Sequence, residues 1–322
     1  MRSIAVFCRF LTDEHRRTLE SAAAQHGFRM DFYTAFDQVP PEKLPLYEVI
    51  YGNLSPRRLR EFPNLRWLCL DSAGADKYVD ESLYPNPDVV LTNSSGAYGV
   101  TISEHILMVT LMLLRQMPVF LEAAGARQWH AAVPIRSIYG SRITMLGTGD
   151  IGTAVARRMK ALGAASVTGV RRTARPADPA FDRTVTYHEL ASVLPETDIL
   201  ISAMPHTPET AGIISRECID LLPAHALIVN VGRGTAVDQQ ALMDALNAGT
   251  LAGAALDVMV PEPLPADHPL WTTPNLIITP HMSGNMSLDK TCDMDVDMFC
   301  ADVERFAQGL APAHAVDRRR GY

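Results

Sequence analysis

The chain has 322 residues, of which 47% are hydrophobic and 20% are charged, which is typical of a folded globular protein and excludes a disordered or collagen-like chain. Its 29 basic and 36 acidic side chains give a net charge of −7, which argues against nucleic acid as a partner. At roughly 150 residues per domain, this length predicts two domains.

The five cysteines are odd in number, and none of them stands in CxxC spacing. This pattern favours neither a disulfide framework nor a zinc site, so we expect reduced thiols, a cytoplasmic location and no metal. The most apolar run, from Ile106 to Leu114, is too short to cross a bilayer. We therefore expect a buried helix there and no membrane partner.

Short apolar runs alternate with amphipathic segments over the first hundred residues. This alternation predicts βα units around a parallel sheet. A turn-rich joint at 93–99 then precedes a helix with Ile102, Ile106, Val109 and Leu113 on one face, and we place the first domain crossing at this joint. The predicted strands are 4–7, 48–51, 67–70 and 89–91, and the predicted helices are 12–25 and 55–61.

The alternation restarts after the joint with six strands, at 143–146, 166–170, 199–203, 227–231, 252–256 and 276–279. Helical patterns lie between them at 151–162, 188–194, 215–222 and 239–248. Six strands with crossover helices predict a doubly wound dinucleotide-binding domain. A last amphipathic stretch, 294–307, has no strand after it. If this stretch packs on the first domain, the chain crosses twice between the two domains. The predicted domains are 1–98 plus 288–322 for the substrate and 99–287 for the dinucleotide.

A glycine-rich turn joins the first strand of the second domain to its helix, with the sequence Gly147-Thr148-Gly149-Asp150-Ile151-Gly152. In a GxGxxG turn the glycines allow a tight turn, close approach to a pyrophosphate and packing of helix on strand, with the anion over the helix N-terminus. The strand before it and the helix after it distinguish this motif from a plain turn.

The end of the second strand indicates which dinucleotide binds. An NAD enzyme places an acidic side chain there to hold the ribose 2′-hydroxyl, but this protein has Val170-Arg171-Arg172-Thr173. Arg171 or Arg172 can clamp a 2′-phosphate through charge-assisted hydrogen bonds. A pair of solvated loop arginines is the alternative. The missing acid and the two bases predict NADPH or NADP in preference to NADH or NAD.

Several further motifs follow one another along the sequence, and with the glycine-rich turn they resemble the D-isomer-specific 2-hydroxyacid dehydrogenases, particularly the glyoxylate/hydroxypyruvate reductase branch. The resemblance implies an α/β protein in which a Rossmann dinucleotide-binding domain is inserted in a flavodoxin-like substrate domain. These motifs are Ser72-Ala73-Gly74-Ala75-Asp76, Met204-Pro205-His206-Thr207-Pro208-Glu209-Thr210, Asn230-Val231-Gly232-Arg233-Gly234, Leu256-Asp257-Val258 with Pro261-Glu262-Pro263-Leu264-Pro265, and Thr279-Pro280-His281-Met282-Ser283-Gly284.

The family's catalytic trio falls on Arg233, Glu262 and His281. Reduction of a 2-oxo acid needs an anchored carboxylate, a polarised carbonyl, a hydride for C2 and a proton for the new hydroxyl. The planar guanidinium of Arg233 can bind a carboxylate oxygen and the carbonyl oxygen together. His281 can supply the proton, and Glu262 can orient the imidazole ring of His281 and favour its charged form. The hydride belongs to the cofactor.

The resemblance also assigns the walls of the site. It implies that the backbone amides of Ala73 and Gly74 receive the substrate carboxylate together with Arg233 and His281, and that Asp257 faces the nicotinamide carboxamide. Tyr98 stands where the family pattern leads us to expect a smaller residue, and His206 stands where it leads us to expect leucine. The remaining positions implied to contact the cofactor are Thr173, Met204, Pro205, Thr210, Val231, Gly232, Ser283 and Gly284.

The leading hypothesis is an NADPH-dependent reductase of small 2-oxo acids such as glyoxylate or hydroxypyruvate, giving the D-2-hydroxy acid. An NAD-linked dehydrogenase of D-lactate or of branched D-2-hydroxy acids is the alternative within the family, and a nucleotide-sensing corepressor is the alternative outside enzymes. The helix at 102–114, with Met108, Met112 and the following Met117, is more apolar than one face requires. In the family this region forms a two-fold dimer, so we expect a homodimer, with an internal core as the alternative.

Overall fold

The computed structural model describes residues 2–129, 133–174, 176 and 178–321. The protein divides into two compact units, Met1–Tyr98 with Asn285–Tyr322, and Gly99–Gly284. The first crossing lies at the turn-rich joint. The second lies between Gly284 and Asn285, three residues before the predicted start of the last segment at 288.

The helices and strands follow one another as the alternation of apolar runs predicts, with additions at several places. The strands are β1 Arg2–Val6, β2 Phe28–Phe32, β3 Tyr47–Tyr51, β4 Trp67–Cys69, β5 Val90–Thr92, β6 Arg142–Leu146, β7 Ser166–Arg171, β8 Arg183–Thr186, β9 Ile199–Ser202, β10 Leu227–Asn230, β11 Gly253–Leu256 and β12 Leu276–Ile278. The helices are α1 Asp13–Gln25, α2 Gly99–Leu114, α3 Met117–Gly125, α4 Asp150–Ala161, α5 Leu190–Val193, α6 Arg216–Asp220, α7 Gln239–Ala248 and α8 Asp289–Ala307.

The first unit is built on a parallel five-stranded sheet in the order β2-β1-β3-β4-β5, the flavodoxin-like order. The edge strand β2 was not predicted, although Phe28-Arg29-Met30-Asp31-Phe32 alternates apolar and charged side chains; only Phe28 of these is buried. The predicted helix at 55–61 is a 3-10 helix, Pro56–Glu61, and ends as the Phe62 N–H reaches back to the Leu59 carbonyl.

The C-terminal helix α8 belongs to the first unit because aromatic rings fix it against the sheet. The Phe299 ring stacks on Tyr51 with centroids 3.9 Å apart and on Trp67 with centroids 5.2 Å apart. One turn earlier, the buried Asp295 accepts hydrogen bonds from the Tyr51 hydroxyl, at 2.6 Å, and from the Ser94 hydroxyl. A carboxylate is therefore part of the core that joins the helix to the sheet.

The second unit contains a parallel sheet in the order β12-β11-β10-β9-β6-β7-β8. This is the doubly wound order, so the predicted fold class is confirmed. The described residues give this sheet seven strands instead of six, because the edge strand β8 escaped prediction; none of its residues is fully buried. Neighbouring strands end in register, with Ser202 opposite both Leu146 and Asn230, and Leu256 opposite both Asn230 and Ile278.

Helix α2 packs against α4 and against strands β10 and β11 of the second unit. The predicted face of Ile102, Ile106, Val109 and Leu113 is buried. Among the described residues, no single helix is long and apolar enough to span a membrane; α2 and α3 meet that test only as a pair, bent by 70°.

The buried carboxyl group under α8 makes the stability of the protein depend on pH. Burial raises the pKa of Asp295 to about 6, although the hydrogen bonds from Ser94 and Tyr51 oppose the shift. The ordinary value is about 3.9, so between about pH 4 and 6 the folded protein holds a proton that the unfolded protein has released. This contribution to the free energy of unfolding is present at low pH and is lost as pH rises through the folded pKa.

Replacing Asp295 by Asn should remove this dependence. Relative to Asp295→Asn, we expect wild type to lose roughly 2–3 kcal/mol of unfolding free energy from pH 4 to pH 7, as measured by urea denaturation at each pH. Asp297→Asn, at an exposed position of the same helix, serves as the control and should run parallel to wild type. A constant difference between wild type and Asp295→Asn would contradict the assignment.

Candidate active site

The predicted site residues of the second unit lie on loops that leave one edge of its sheet. Because the strands are parallel and end in register, the loops after β6, β9, β10, β11 and β12 all begin at the carboxyl edge. Ligands bind at this edge in open α/β sheets. The first residues of these loops include Gly147, Met204, Arg233, Asp257 and His281.

His281 and Glu262 form a hydrogen-bonded pair, with Nδ1 of the imidazole 2.7 Å from Oε2 of the carboxylate. An ionised carboxylate only accepts hydrogen bonds, so Nδ1 carries the hydrogen and Nε2 is the ring nitrogen left to exchange a proton. The His281 side chain is 51% exposed. The pair thus leaves Nε2 as the one ring nitrogen that is a donor in imidazolium and an acceptor in neutral imidazole.

The other carboxylate oxygen of Glu262 is also held. Its Oε1 accepts the Met259 N–H at 2.9 Å. The loop itself is fixed from α7, where the Gln239 side-chain amide both donates to the Val260 carbonyl and accepts from the Val260 N–H, each at 2.7 Å. Sequence reasoning missed Gln239, since a glutamine at a helix N-terminus carries no signal of a contact with a distant loop.

Arg233 stands on a loop braced by the buried Asn230. The Asn230 amide donates to the Arg233 carbonyl at 2.9 Å and accepts the Gly232 N–H at 3.2 Å. The half-buried guanidinium donates through Nη1 to the Gly232 carbonyl at 2.8 Å. A cation is thereby placed on the loop next along the sheet edge from the loops that carry Asp257 and His281.

Asp257 organises the turn that carries His281. Its backbone carbonyl accepts the His281 N–H at 2.8 Å, and its carboxylate accepts the N–H groups of Met282 and Ser283 at 2.9 and 3.0 Å. Burial acts to raise the pKa of Asp257, but the hydrogen bonds from Ser283, Thr279 and Met282 outweigh it and hold the pKa below its ordinary value. Asp257, predicted to face the nicotinamide, is thus an ionised anchor for the His281 turn in this structure.

The glycine-rich turn has the geometry that a pyrophosphate requires. Gly147 has φ +98°, and a Cβ on Gly152 would lie 2.0 Å from the Gly147 carbonyl oxygen, so these two positions shape the turn. A Cβ on Gly149 would meet nothing within 4 Å. Packing therefore does not require glycine at position 149, whereas close approach of a ligand does.

The N-terminus of α4 supports the same interpretation. No side chain caps it, so its first N–H groups and the helix dipole are available to an anion. The one acidic residue of the turn, Asp150, accepts a hydrogen bond from the Gly99 N–H at the start of α2. The residues of this turn fit the pyrophosphate of a dinucleotide.

Most of the predicted cofactor wall is buried and serves to shape the loops. Met204, Thr210, Val231, Gly232 and Ser283 are buried, whereas Ile151 and Pro205 are half-buried and Thr173 and Gly284 are exposed. The Thr210 hydroxyl donates to the Pro205 carbonyl at 2.7 Å and accepts the Thr207 N–H at 2.8 Å. A Cβ on Gly232 would lie 2.6 Å from backbone atoms of Met204, so the two loops touch.

The two arginines after β7 differ in their surroundings. Arg171 is 8% exposed, and its Nη1 lies 3.5 Å from the Pro176 carbonyl oxygen. Arg172 is half-buried. The backbone of Glu209 and the Thr207 side chain lower the pKa of Glu209, and the Arg172 guanidinium lowers it further, which places Arg172 near the loop after β9.

Ala73 and Gly74 lie in the first unit, on the loop after β4. The Asn93 amide donates to the Ala73 carbonyl at 2.7 Å, and the Ser72 hydroxyl donates to the Gly74 carbonyl at 2.9 Å. Their binding of a carboxylate stays a prediction.

Tyr98 and His206, the two residues that depart from the family pattern, each have a hydrogen-bond partner. The Tyr98 hydroxyl donates to the Asp71 carbonyl at 2.5 Å, and His206 Nδ1 lies 2.8 Å from the Thr235 hydroxyl. Within the described part of the protein, no group of three or more His, Cys, Asp or Glu side chains is arranged to hold a metal ion.

Comparison with known proteins identifies the family. The model of the NAD binding domain of D-isomer specific 2-hydroxyacid dehydrogenases matches residues 107–283, more than half of the chain. The chain belongs to the D-isomer specific 2-hydroxyacid dehydrogenase family. It is therefore an NAD(P)-dependent oxidoreductase, as the motifs predicted.

Several relatives are similar to this chain over nearly its full length and over nearly their own. Glyoxylate/hydroxypyruvate reductase B of Pectobacterium carotovorum is 30% identical over 302 residues, 91% of this chain and 92% of that protein. A family protein from Aeromonas salmonicida has a TM-score of 0.86 at 30% identity, covering 98% of this chain and 99% of that one. A D-isomer specific 2-hydroxyacid dehydrogenase from Xanthobacter autotrophicus Py2, solved with NADPH and MES, has a TM-score of 0.83 at 28% identity, covering 100% and 99%.

The glycine-rich turn yields a matched pair of variants. Gly149→Ala places its Cβ in open space, so the fold should tolerate it while dinucleotide affinity falls at least about tenfold, the equivalent of roughly 1.4 kcal/mol. Gly152→Ala clashes with the Gly147 carbonyl and should lower stability by roughly 1–3 kcal/mol or more. Thermal unfolding measures the effect on stability, and quenching of protein fluorescence by NADPH measures the effect on dinucleotide affinity. Unchanged affinity in Gly149→Ala would contradict the role of this turn.

Proposed function

We propose that this protein reduces small 2-oxo acids of the glyoxylate or hydroxypyruvate type to D-2-hydroxy acids, with NADPH as reductant and His281 as proton donor. The observation that carries the proposal is the His281–Glu262 hydrogen bond of 2.7 Å at the sheet edge where the Arg233 loop also lies. The named similarity to a glyoxylate/hydroxypyruvate reductase supports the substrate class.

Arg233 supplies the positive charge that a 2-oxo acid needs. Its planar guanidinium can donate to a carboxylate oxygen and to the carbonyl oxygen of the same substrate, which fixes the acid and polarises the bond to be reduced. As the carbonyl oxygen gains negative charge, the hydrogen bond from the guanidinium strengthens, and this difference lowers the barrier.

His281 completes the reduction with its Nε2 proton. Glu262 keeps Nδ1 protonated and stabilises imidazolium, so Nε2–H can be donated to the oxygen as it becomes a hydroxyl. When bound, NADPH supplies the hydride that the carbonyl carbon accepts. In the reverse direction, neutral imidazole takes the hydroxyl proton through the same nitrogen.

Activity on a panel of 2-oxo acids tests this proposal. NADPH oxidation at 340 nm should appear with glyoxylate or hydroxypyruvate, and His281→Ala should lower kcat roughly 10²- to 10⁴-fold while NADPH binding is retained. Glu262→Gln keeps the shape of the carboxylate and loses its charge, so its loss of kcat should be smaller than that of His281→Ala. Near wild-type turnover by His281→Ala would exclude the assigned role.

The NADPH preference is proposed to rest mainly on Arg172, with Arg171 shaping the loop. Arg172 follows the second strand of the doubly wound sheet, where the 2′ position of the ribose is recognised, and Arg171 is largely buried. The Xanthobacter relative, solved with NADPH, supports this preference.

Steady-state kinetics with both cofactors provide the measurement. Wild type should show kcat/KM for NADPH at least about tenfold above that for NADH, because one charge-assisted hydrogen bond contributes roughly 1.5–3 kcal/mol. Arg172→Ala should lower kcat/KM for NADPH without raising kcat/KM for NADH. Arg157→Ala, which removes an equal charge from an exposed position on α4, should leave the ratio unchanged. A wild-type preference for NADH would show that the arginines are solvated loop residues.

We further propose a homodimer in the cytoplasm that uses the outer face of α2 and α3. The inner face of α2 is already buried, yet Met108, Leu111, Met117 and Leu121 are exposed. An exposed apolar patch of this kind is typical of a subunit interface.

Light scattering at micromolar concentration should give twice the mass of the chain. Leu121→Glu should shift the protein towards the monomer, because it places a charge in the apolar face. The control Leu310→Glu changes another exposed leucine, in the first unit, and should leave the mass unchanged. A monomeric wild type would contradict the dimer.

A further inference from the structure

A hydrogen-bonded relay of three side chains, His105, Thr279 and Asp257, lies behind the turn that carries His281; the first and last of them are buried, and Thr279 is half-buried. His105 of α2 approaches Thr279, with 3.3 Å between Nε2 and Oγ1, and the Thr279 hydroxyl lies 2.6 Å from Asp257 Oδ1. His105 is 8% exposed and Asp257 is 2% exposed. The motifs of the sequence include Asp257 and Thr279, whereas no role is assigned to His105.

Counting hydrogens fixes the direction of this relay. The Asp257 carboxylate is ionised and has no hydrogen to donate, so the single hydrogen of the Thr279 hydroxyl is directed at Oδ1. Thr279 Oγ1 therefore offers only a lone pair to His105, and His105 Nε2 must carry a hydrogen. The order of donation is His105 to Thr279 to Asp257.

The end of this relay is the backbone of the His281 turn. His281 has φ +51°, a left-handed conformation that a histidine adopts only when its surroundings hold it there. Asp257 holds it, through the N–H groups of His281, Met282 and Ser283. Any change that lets the carboxylate rotate releases two of these three bonds.

We propose that His105 is a positioning residue for the proton donor: by donating to Thr279, it locks the Asp257 carboxylate in the orientation that keeps His281 aimed at its substrate. This inference rests on the proposed function insofar as it concerns turnover. Burial lowers the pKa of His105, while the charge of Asp257 acts in the opposite direction. The neutral tautomer with hydrogen on Nε2 satisfies the geometry.

Two substitutions separate hydrogen bonding from packing. His105→Gln keeps an N–H donor close to the position of Nε2, whereas His105→Phe keeps the ring volume and removes the donor. If His105 is a positioning residue, kcat for 2-oxo acid reduction should fall about tenfold in His105→Phe, while the KM values for the 2-oxo acid and for NADPH stay within about twofold of wild type. In His105→Gln, kcat should recover. If His105 only fills space, His105→Phe is the active variant, and that result would overturn the proposal.

Coupling through Thr279 can be measured by a double-mutant cycle. Thr279→Val removes the hydroxyl from the relay, and Thr279→Ser is the matched control that retains it. Because His105 acts through Thr279, adding His105→Phe to Thr279→Val should cause no further loss of kcat. Independent, multiplicative losses would contradict the order of donation.

Amide hydrogen exchange of the protein without substrate supplies a readout that does not depend on turnover. Peptides covering residues 281–283 should exchange faster in His105→Phe than in wild type or His105→Gln, while peptides from the sheet of the first unit stay unchanged. If wild type reduces no 2-oxo acid, the proposed function fails, and this exchange pattern still decides the inference. Equal exchange in His105→Phe and wild type would overturn it.

Discussion

The hydrogen bond between His281 Nδ1 and Glu262 Oε2, 2.7 Å long, determines what the site can do. It commits one ring nitrogen to the carboxylate and leaves the other for proton exchange. Two neighbouring side chains maintain this arrangement: Gln239 holds the Glu262 loop, and Asp257 holds the His281 turn against its backbone strain. An acid–base group is useful in catalysis only when its position is fixed before the substrate arrives.

The parallel sheet makes this arrangement available to a protein whose functional residues are far apart in sequence. Glu262 and His281 lie on the loops after β11 and β12, while Arg233 follows β10, and these strands are adjacent and in register. The glycine-rich turn opens at the same edge after β6. The proposed function uses this edge for the pyrophosphate of the dinucleotide, for the cation that binds the acid substrate and for the proton donor.

Sequence reasoning located the parts of this edge whose structure depends on local pattern. Strand, GxGxxG and helix are contiguous, so their meaning is readable without tertiary contacts. The edge strand β8 was missed because Val185 is its only apolar residue, whereas β2 was missed although its side chains alternate between apolar and charged. His105 and Gln239 were missed because their partners, Thr279 and Val260, are distant in the sequence. The sequence likewise gives no sign that Arg171 is buried.

The central claim, that Nε2 of His281 exchanges the proton of the reaction, is tested most directly by comparing the pH dependence of kcat in both directions. Reduction of the 2-oxo acid requires Nε2–H and should decline as pH rises, whereas oxidation of the 2-hydroxy acid requires the bare nitrogen and should increase over the same range. Profiles that change in the same direction, or that do not depend on pH, would contradict this account.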